Sequence, residues 1–545
     1  MKIGPSQNPL SLGLGMNASQ LVFESSQPSE PSRLLSLRGR PGANLAPMRR
    51  LAVLLTLLAL CVVIAGCGGH DDKTVTPLDD AVGYFAKDAP FVAAVETDPD
   101  GPQVQQLLDL IGRFPRSDVL ATRLQRLTRL PFVRWDRDVR PQLGAPLVVG
   151  LARPAAGSGI ATALVVAMRV KHPLRAKQLL LRQPGFRGSG KSSGVRIYEN
   201  NSDQRYAAVD GDVVIGATDR GILEQALAIK RSGNRMRERG FDRDLASLPG
   251  GGLVRVSADV RMMLGAEPRL RPALGVKWLA SMRRLGAVVK ASPSGIALDL
   301  RLATDKSSLS DDDLPLAPTA GDLPLIGRSA ELEIGVREPR RLAQLAFAVA
   351  KAIAPRRMAL LQALEPAGID LERQIRHHLA GVAVAAVNPL ERRFALRAGL
   401  NEAGDVKTAL TQLTPVLPSL AALFGVKGLG IATPEAGESF YALARPDGRT
   451  TVFGVVGNLL VAASEARRAA ELASEPVHEA PGGVKGAAVV TLNAREIAGE
   501  LLAKQLNGPT GLLAPPAVAS LRDLTGALTI SRAGLRGHFK LTIVK

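Results

Sequence analysis

Several short patterns in this sequence could do chemistry, and the elements around each decide whether they can. Gly185-Phe-Arg-Gly-Ser-Gly190-Lys191-Ser192 spells the phosphate-loop pattern GxxxxGK[ST]. That loop works when a strand enters it and a helix leaves it, because backbone amides and a helix N-terminus then converge on the phosphates. Here a helical stretch (RAKQLLLR) comes first and an apolar strand (Val195 to Tyr198) follows. The order is reversed, so the segment reads as a flexible, basic, solvated loop. Gly190-Lys-Ser192-Ser-Gly194 also fits GxSxG, and it fails as a nucleophile elbow for the same reason.

His377-His378 is the only adjacent histidine pair. Neighbours on a helix point about 100° apart, so these two cannot share a metal as an i,i+4 pair does. Asp98-Pro-Asp100-Gly101 starts like a calcium loop, but Leu107 stands where the closing Glu belongs. Asp100 is instead expected to cap a helix beginning near Pro102. Asp311-Asp312-Asp313 sits in a polar, proline-bearing stretch and reads as solvated linker. Arginines 113, 116, 123, 126, 129, 134, 137 and 140 flank Leu120, Leu124, Leu127 and Leu130. This spacing gives a helix with an apolar face and a solvated basic one, the alternative being contact with an anionic surface. No catalytic residue, cofactor site or metal site is expected, and the chain is not read as an enzyme.

The one modification site the sequence offers is Cys67. Met48-Arg-Arg50 begins a basic start, and Leu51 to Gly66 then runs 16 residues without a charge. A spanning helix needs about 20 apolar residues, so this run suits a signal-peptide core better than an anchor. It ends Ile64-Ala-Gly-Cys67, which resembles the lipobox of bacterial lipoproteins. Cleavage before Cys67 and lipid on its thiol would hold the chain at the outer face of the cell membrane. Residues 1–47 resemble no targeting signal and are expected to be a mis-annotated or disordered extension, with translation starting at Met48. Residues 48–66 are then the signal and 67–77 a tether of at most about 35 Å. Cys61 lies inside the apolar run, so no thiol is left downstream for a disulfide, zinc or nucleophile.

Composition narrows the partners. Apolar residues make up 46% and charged residues 22%, a globular balance, while aromatics are only 3%. Single-stranded nucleic acids and sugars are gripped by stacked rings, so nucleic acid is not an expected partner. The formal charge is +19; residues 1–67 hold six bases and two acids, leaving +15 beyond them. A basic chain outside the cytoplasm is drawn to anionic lipid or wall polymer.

What positions everything is a long internal repeat. GVRIYENNSDQRYAAVDGDVVIGATDRGILEQALAI in the first half matches GESFYALARPDGRTTVFGVVGNLLVAASEARRAAELA in the second. Each holds three strands, two tight turns and a helix. The turn pairs are Asn201-Ser202 with Asp447-Gly448, and Asp210-Gly211 with Gly457-Asn458. The helices are expected to start at the N-caps Asp219 and Ser464. Val139-Arg-Pro-Gln-Leu-Gly144 aligns with Ile375-Arg-His-His-Leu-Ala380, and each half closes on a hairpin, from Gly286 and from Gly526. Two-residue turns force antiparallel pairing, and strands apolar on both faces call for helical cover. The expected class is therefore α+β: two tandem repeats, 78–304 and 324–545, with mainly antiparallel sheets covered by helices and a linker at 305–323.

Three segments carry a resemblance to a known family: KDAPFVAAVETDPDG from Lys87, WDRDVRPQLG from Trp135 and YAAVDGDVVIGAT from Tyr206. With them, the chain from Leu78 onward resembles an uncharacterised bacterial envelope family, domain of unknown function 3352. The resemblance implies the architecture and supplies no reaction or ligand. The functional expectation is a lipid-anchored extracytoplasmic binding or scaffold protein of the cell envelope. The alternatives are a solute-binding lipoprotein of a transporter, or a lipid carrier or chaperone.

Overall fold

The computed structural model describes residues 76–545 except 115–134, 153–162, 184, 201–204, 326–331, 389–392, 424–427, 433–439, 446–447, 506–517 and a few positions within 363–371 and 477–482. The signal segment, Cys67 and nearly all of the expected tether lie outside the described residues, as do the turn Asn201-Ser202, Asp447 and the arginines from 116 to 134.

The first described element is the helix Pro77–Val82. Thr76 caps it by accepting the Asp79 N–H at 3.1 Å, and Leu78, Ala81 and Val82 turn inward. The strands that follow are β1 (Phe91–Val95), β2 (Leu147–Leu151), β3 (Leu164–Arg169), β4 (Phe186–Ser192), β5 (Val195–Asn200), β6 (Arg205–Asp210), β7 (Val213–Ala217), β8 (Val254–Asp259), β9 (Met282–Ser292) and β10 (Gly295–Thr304). After the short β11 (Pro324–Leu325) come β12 (Leu332–Arg337), β13 (Leu379–Asn388), β14 (Arg393–Leu400), β15 (Gly430–Ala432), β16 (Phe440–Ala444), β17 (Thr450–Val456), β18 (Leu459–Ala463), β19 (His478–Glu479), β20 (Ala488–Asn493), β21 (Leu521–Ser531) and β22 (Gly534–Ile543).

Every pairing among them is antiparallel. Across the first half the order is β4-β5-β6-β7-β3-β2-β1-β8-β9-β10. Strand β10 then pairs with β22, and the order continues β22-β21-β20-β12-β13-β14-β18-β17-β16-β15. Where the sequence suggested separate sheets, there is one twenty-stranded sheet. Only β11 and β19 form a pair of their own.

Tight turns impose this direction. Gly211-Asp212 joins β6 to β7 and Gly457-Asn458 joins β17 to β18, with φ of 59° and 54° at the glycines. The first turn sits one residue later than the sequence suggested, because Asp210 still pairs with Val213. A larger difference concerns Gly185–Ser192. The expected flexible loop is strand β4, folded back on β5 by the turn Ser193-Gly194, with a bulge between Gly188 and Lys191. Its glycines hid the strand pattern.

Helices lie on both faces. Val92 and Ala94 of β1 pack with Val82, Leu223, Leu227 and Phe241, from helices Pro77–Val82, Arg220–Arg231 and Glu238–Leu245. Val95, one residue on and so on the opposite face, packs with Val104, Leu107 and Leu110 of helix Pro102–Gly112. That is why β1 reads as an uninterrupted apolar run. The segment 305–323 joins the halves and also contributes to the core: Leu309, Leu314 and Leu316 are buried with Trp278, Leu302, Val336 and Ile530.

Helix caps follow the sequence in one case and depart from it in two. Asp219 accepts the Ile222 N–H at 3.1 Å, as a cap should. Helix Pro102–Gly112 is capped at Gly101, not Asp100, whose own N–H is taken by Asp98. Helix Ala466–Ser474 begins after Glu465, and Ser464 instead bonds both backbone groups of Phe394 across β14.

Candidate functional site

Two places in the fold match each other and carry opposite charge. Each lies where the turn leading into a strand (β2 or β13) meets the start of a helix, Pro173–Arg182 in the first half and Ala403–Leu413 in the second. The residues capping those helices share one backbone shape: φ −130°, ψ 79° at His172 and φ −132°, ψ 83° at Glu402.

The first place is basic. The stretch WDRDV forms a single wide turn, Trp135–Val139, continued by a tighter one over Arg140–Gln142. This turn buries the Asp138 carboxylate against Arg137, whose Nε and a terminal nitrogen donate at 3.0 and 3.2 Å. The hydrogen bonds it donates to Asp138 in turn hold the Arg137 guanidinium above its ordinary value. Arg175 stands 3.8 Å from the same carboxylate and donates to the Arg137 carbonyl at 2.6 Å. Around them is an open hollow of about 740 Å³, lined also by Lys171, His172, Leu174 and Arg182. Four fixed cations face one carboxylate there, so the hollow favours an anion. Helix Pro173–Arg182 buries only Ala176, and Leu174 and Leu181 stand 77% and 47% exposed beside the cations.

The second place is acidic. His377 and His378 do diverge: His377 is exposed with Nε2 2.8 Å from Arg376, whereas His378 turns inward. There Nδ1 of His378 lies 3.8 Å from Glu402 and Nε2 lies 3.8 Å from Asp405. The three side chains offer ligand atoms within 4.8 Å of one another. The sequence reading set aside the histidine pair and missed this grouping, whose members are 24 and 27 residues apart in the chain. No short pattern links them; the fold alone sets the start of helix Ala403–Leu413 beside His378.

The other sequence candidates sit elsewhere. Arg113 donates to the Ile543 carbonyl at 3.1 Å, tying the first half to the last strand. Asp98 accepts the Asp100 N–H in a local turn. Asp313 takes Lys277 at 2.6 Å and both donors of Ser310, while Arg532 pairs with Asp311. The Asp run therefore pins the connecting segment. No helix among the described residues is long and apolar enough to cross a membrane.

No protein-family model matches the chain, and no curated protein matches it. Among solved structures it is similar to crystal form IV of TP0453, with 9% identity and a TM-score of 0.24 over 41% of this chain and 80% of that one. Crystal form I of TP0453 gives 10% identity and a TM-score of 0.24, covering 43% and 80%. A likeness at that level carries no argument about fold or function.

Proposed function

We propose that this chain is a lipid-anchored extracytoplasmic protein of the cell envelope, tethered through Cys67, that binds or scaffolds at an anionic surface. The observation that carries the reading is the basic hollow of Arg137, Lys171, Arg175 and Arg182 beside exposed Leu174. Cations next to projecting leucine suit a lipid head-group layer, where charge meets phosphate and the leucine enters the acyl boundary. The body is taken as two copies of one plan, residues 78–304 and 324–545. The identical strand order of the halves and the matching caps at His172 and Glu402 support that duplication. The all-antiparallel pairing speaks against the solute-binding alternative, whose lobes use largely parallel sheets.

A lipid carrier is the second reading, favoured by one face of the central strands. Leu298 and Leu300 of β10 stand opposite Val289 and Ala287 of β9 and Phe539 and Gly537 of β22, an apolar patch with half-buried side chains.

Metabolic palmitate labelling of the full chain tests the anchor. Label should incorporate into the native chain and vanish in Cys67→Ala; label persisting in that variant would sink it. Sedimentation with phosphatidylglycerol vesicles tests the surface. Lys171→Glu with Arg182→Glu should release Cys67→Ala protein from the vesicles, and unchanged binding would move the surface elsewhere. Extraction of a bound lipid from the purified protein would favour the carrier.

A further inference from the structure

We propose that His378, Glu402 and Asp405 bind a divalent transition-metal ion, zinc in the first instance. The imidazole is the fixed member: its side chain is 15% exposed, and Nδ1 is buried without a hydrogen-bond partner. A buried ring nitrogen left unpaired is costly and calls for an occupant. The carboxylates are the adjustable members, 64% exposed at Glu402 and 67% at Asp405. Metal–nitrogen and metal–oxygen bonds of about 2.1 Å place tetrahedral ligands roughly 3.4 Å apart. Glu402 lies 3.8 Å from Nδ1 and Asp405 3.8 Å from Nε2, and one ion takes only one of these ring nitrogens. The carboxylate beside the other nitrogen must therefore swing across, which its exposure allows: ligand atoms, one from each residue, lie within 4.8 Å of one another. One nitrogen and two hard oxygens suit zinc, cobalt or manganese, and three protein ligands leave positions for water.

The first half shows what such an ion would replace. There Gln142 stands where His378 stands, and its Oε1 accepts the His172 N–H at 3.0 Å, clamping the turn to the helix start. In the second half the matching tie is from the Asn401 N–H to the His378 carbonyl, and it leaves Nδ1 of the His378 ring without a hydrogen-bond partner. An ion held by His378, Glu402 and Asp405 restores a side-chain clamp between the same two elements. A proton on His378 would also draw the carboxylates in, but at 3.8 Å neither contact is a hydrogen bond.

The test is zinc titration of the untagged full chain in detergent, followed by cobalt substitution read as a visible ligand-field band. One zinc per chain is expected. Glu402→Gln and Asp405→Asn, both at exposed positions that leave the fold intact, should each weaken binding at least about tenfold. His378→Ala should abolish the cobalt band, and His377→Ala should leave it unchanged. A chain that takes up no zinc overturns the proposal. So does binding that survives Asp405→Asn and His378→Ala, or that fails in His377→Ala alone. Should His378→Ala disturb the circular dichroism, the two carboxylate variants decide.

Discussion

His538 Nδ1 lies 2.7 Å from Asp299 Oδ1 across the pairing of β22 with β10, and each is the fifth residue of its strand. The register therefore runs symmetrically about them: Gly295 faces Thr542 at one end and Gly534 faces Ala303 at the other. The closing hairpins of the two halves meet about a local twofold axis passing between this carboxylate and this imidazole. The sheet becomes continuous at that seam.

The seam's tightest points are the two glycines that open its strands. A Cβ on Gly295 (φ 142°) would run into the Leu541 carbonyl oxygen, and one on Gly534 (φ 138°) into that of Leu302. Backbone cannot give way as a side chain does. Gly295→Ala and Gly534→Ala should each cost about 2 kcal/mol or more, read as a lower urea midpoint. Gly250→Ala, with open space around it, is the control. Equal midpoints in all three would refute the register.

The Asp299–His538 contact itself should be weak. The imidazole is largely exposed, and pairs of that kind couple by under about 1 kcal/mol. A double-mutant cycle with Asp299→Asn and His538→Gln measures the coupling, and a value several times larger would contradict the exposed geometry.

Asp219 and Ser464, both expected from sequence to cap helices, should respond differently. Asp219→Ala removes a cap and should lose about 1 kcal/mol, which Asp219→Asn largely restores because Asn also accepts from N3. Ser464→Ala touches no cap, so its loss should fall instead on the bonds to Phe394. Hydrogen exchange locates each effect: in helix Arg220–Arg231 for the first, at the end of β14 for the second.

Asp313 should make stability depend on pH in acid. Burial pushes its carboxyl up, but hydrogen bonds from Lys277 and from the hydroxyl and N–H of Ser310 outweigh that and hold it at about 2, below its ordinary 3.8. A depressed carboxyl stabilises the folded state above pH 3.8 and loses that contribution as pH falls towards 2. Lys277→Met should flatten the stability curve within that window and leave the slope above pH 5 unchanged. An unaltered acid limb would show that the cluster does not hold in solution.

Much of this protein was legible without coordinates. Turn pairs such as Gly457-Asn458 dictate antiparallel neighbours, because two residues cannot span a parallel crossover. The doubly apolar run of β1 announced helical cover, which the structure supplies on both faces, and Asp219 announced its helix. These are local rules, decided by φ angles, periodicity and the nearest donor. Rules of that kind misplaced two caps by one residue and hid β4 behind its glycines.

Only the tertiary structure could decide what long separations bring together. Nothing near Asp299 in sequence says that its partner is His538, and nothing near His378 points to Glu402 and Asp405. Such pairings follow from β10 reaching β22 and from a helix start docking beside a turn. Their free energy comes from packing summed over many distant residues rather than from any short stretch of chain.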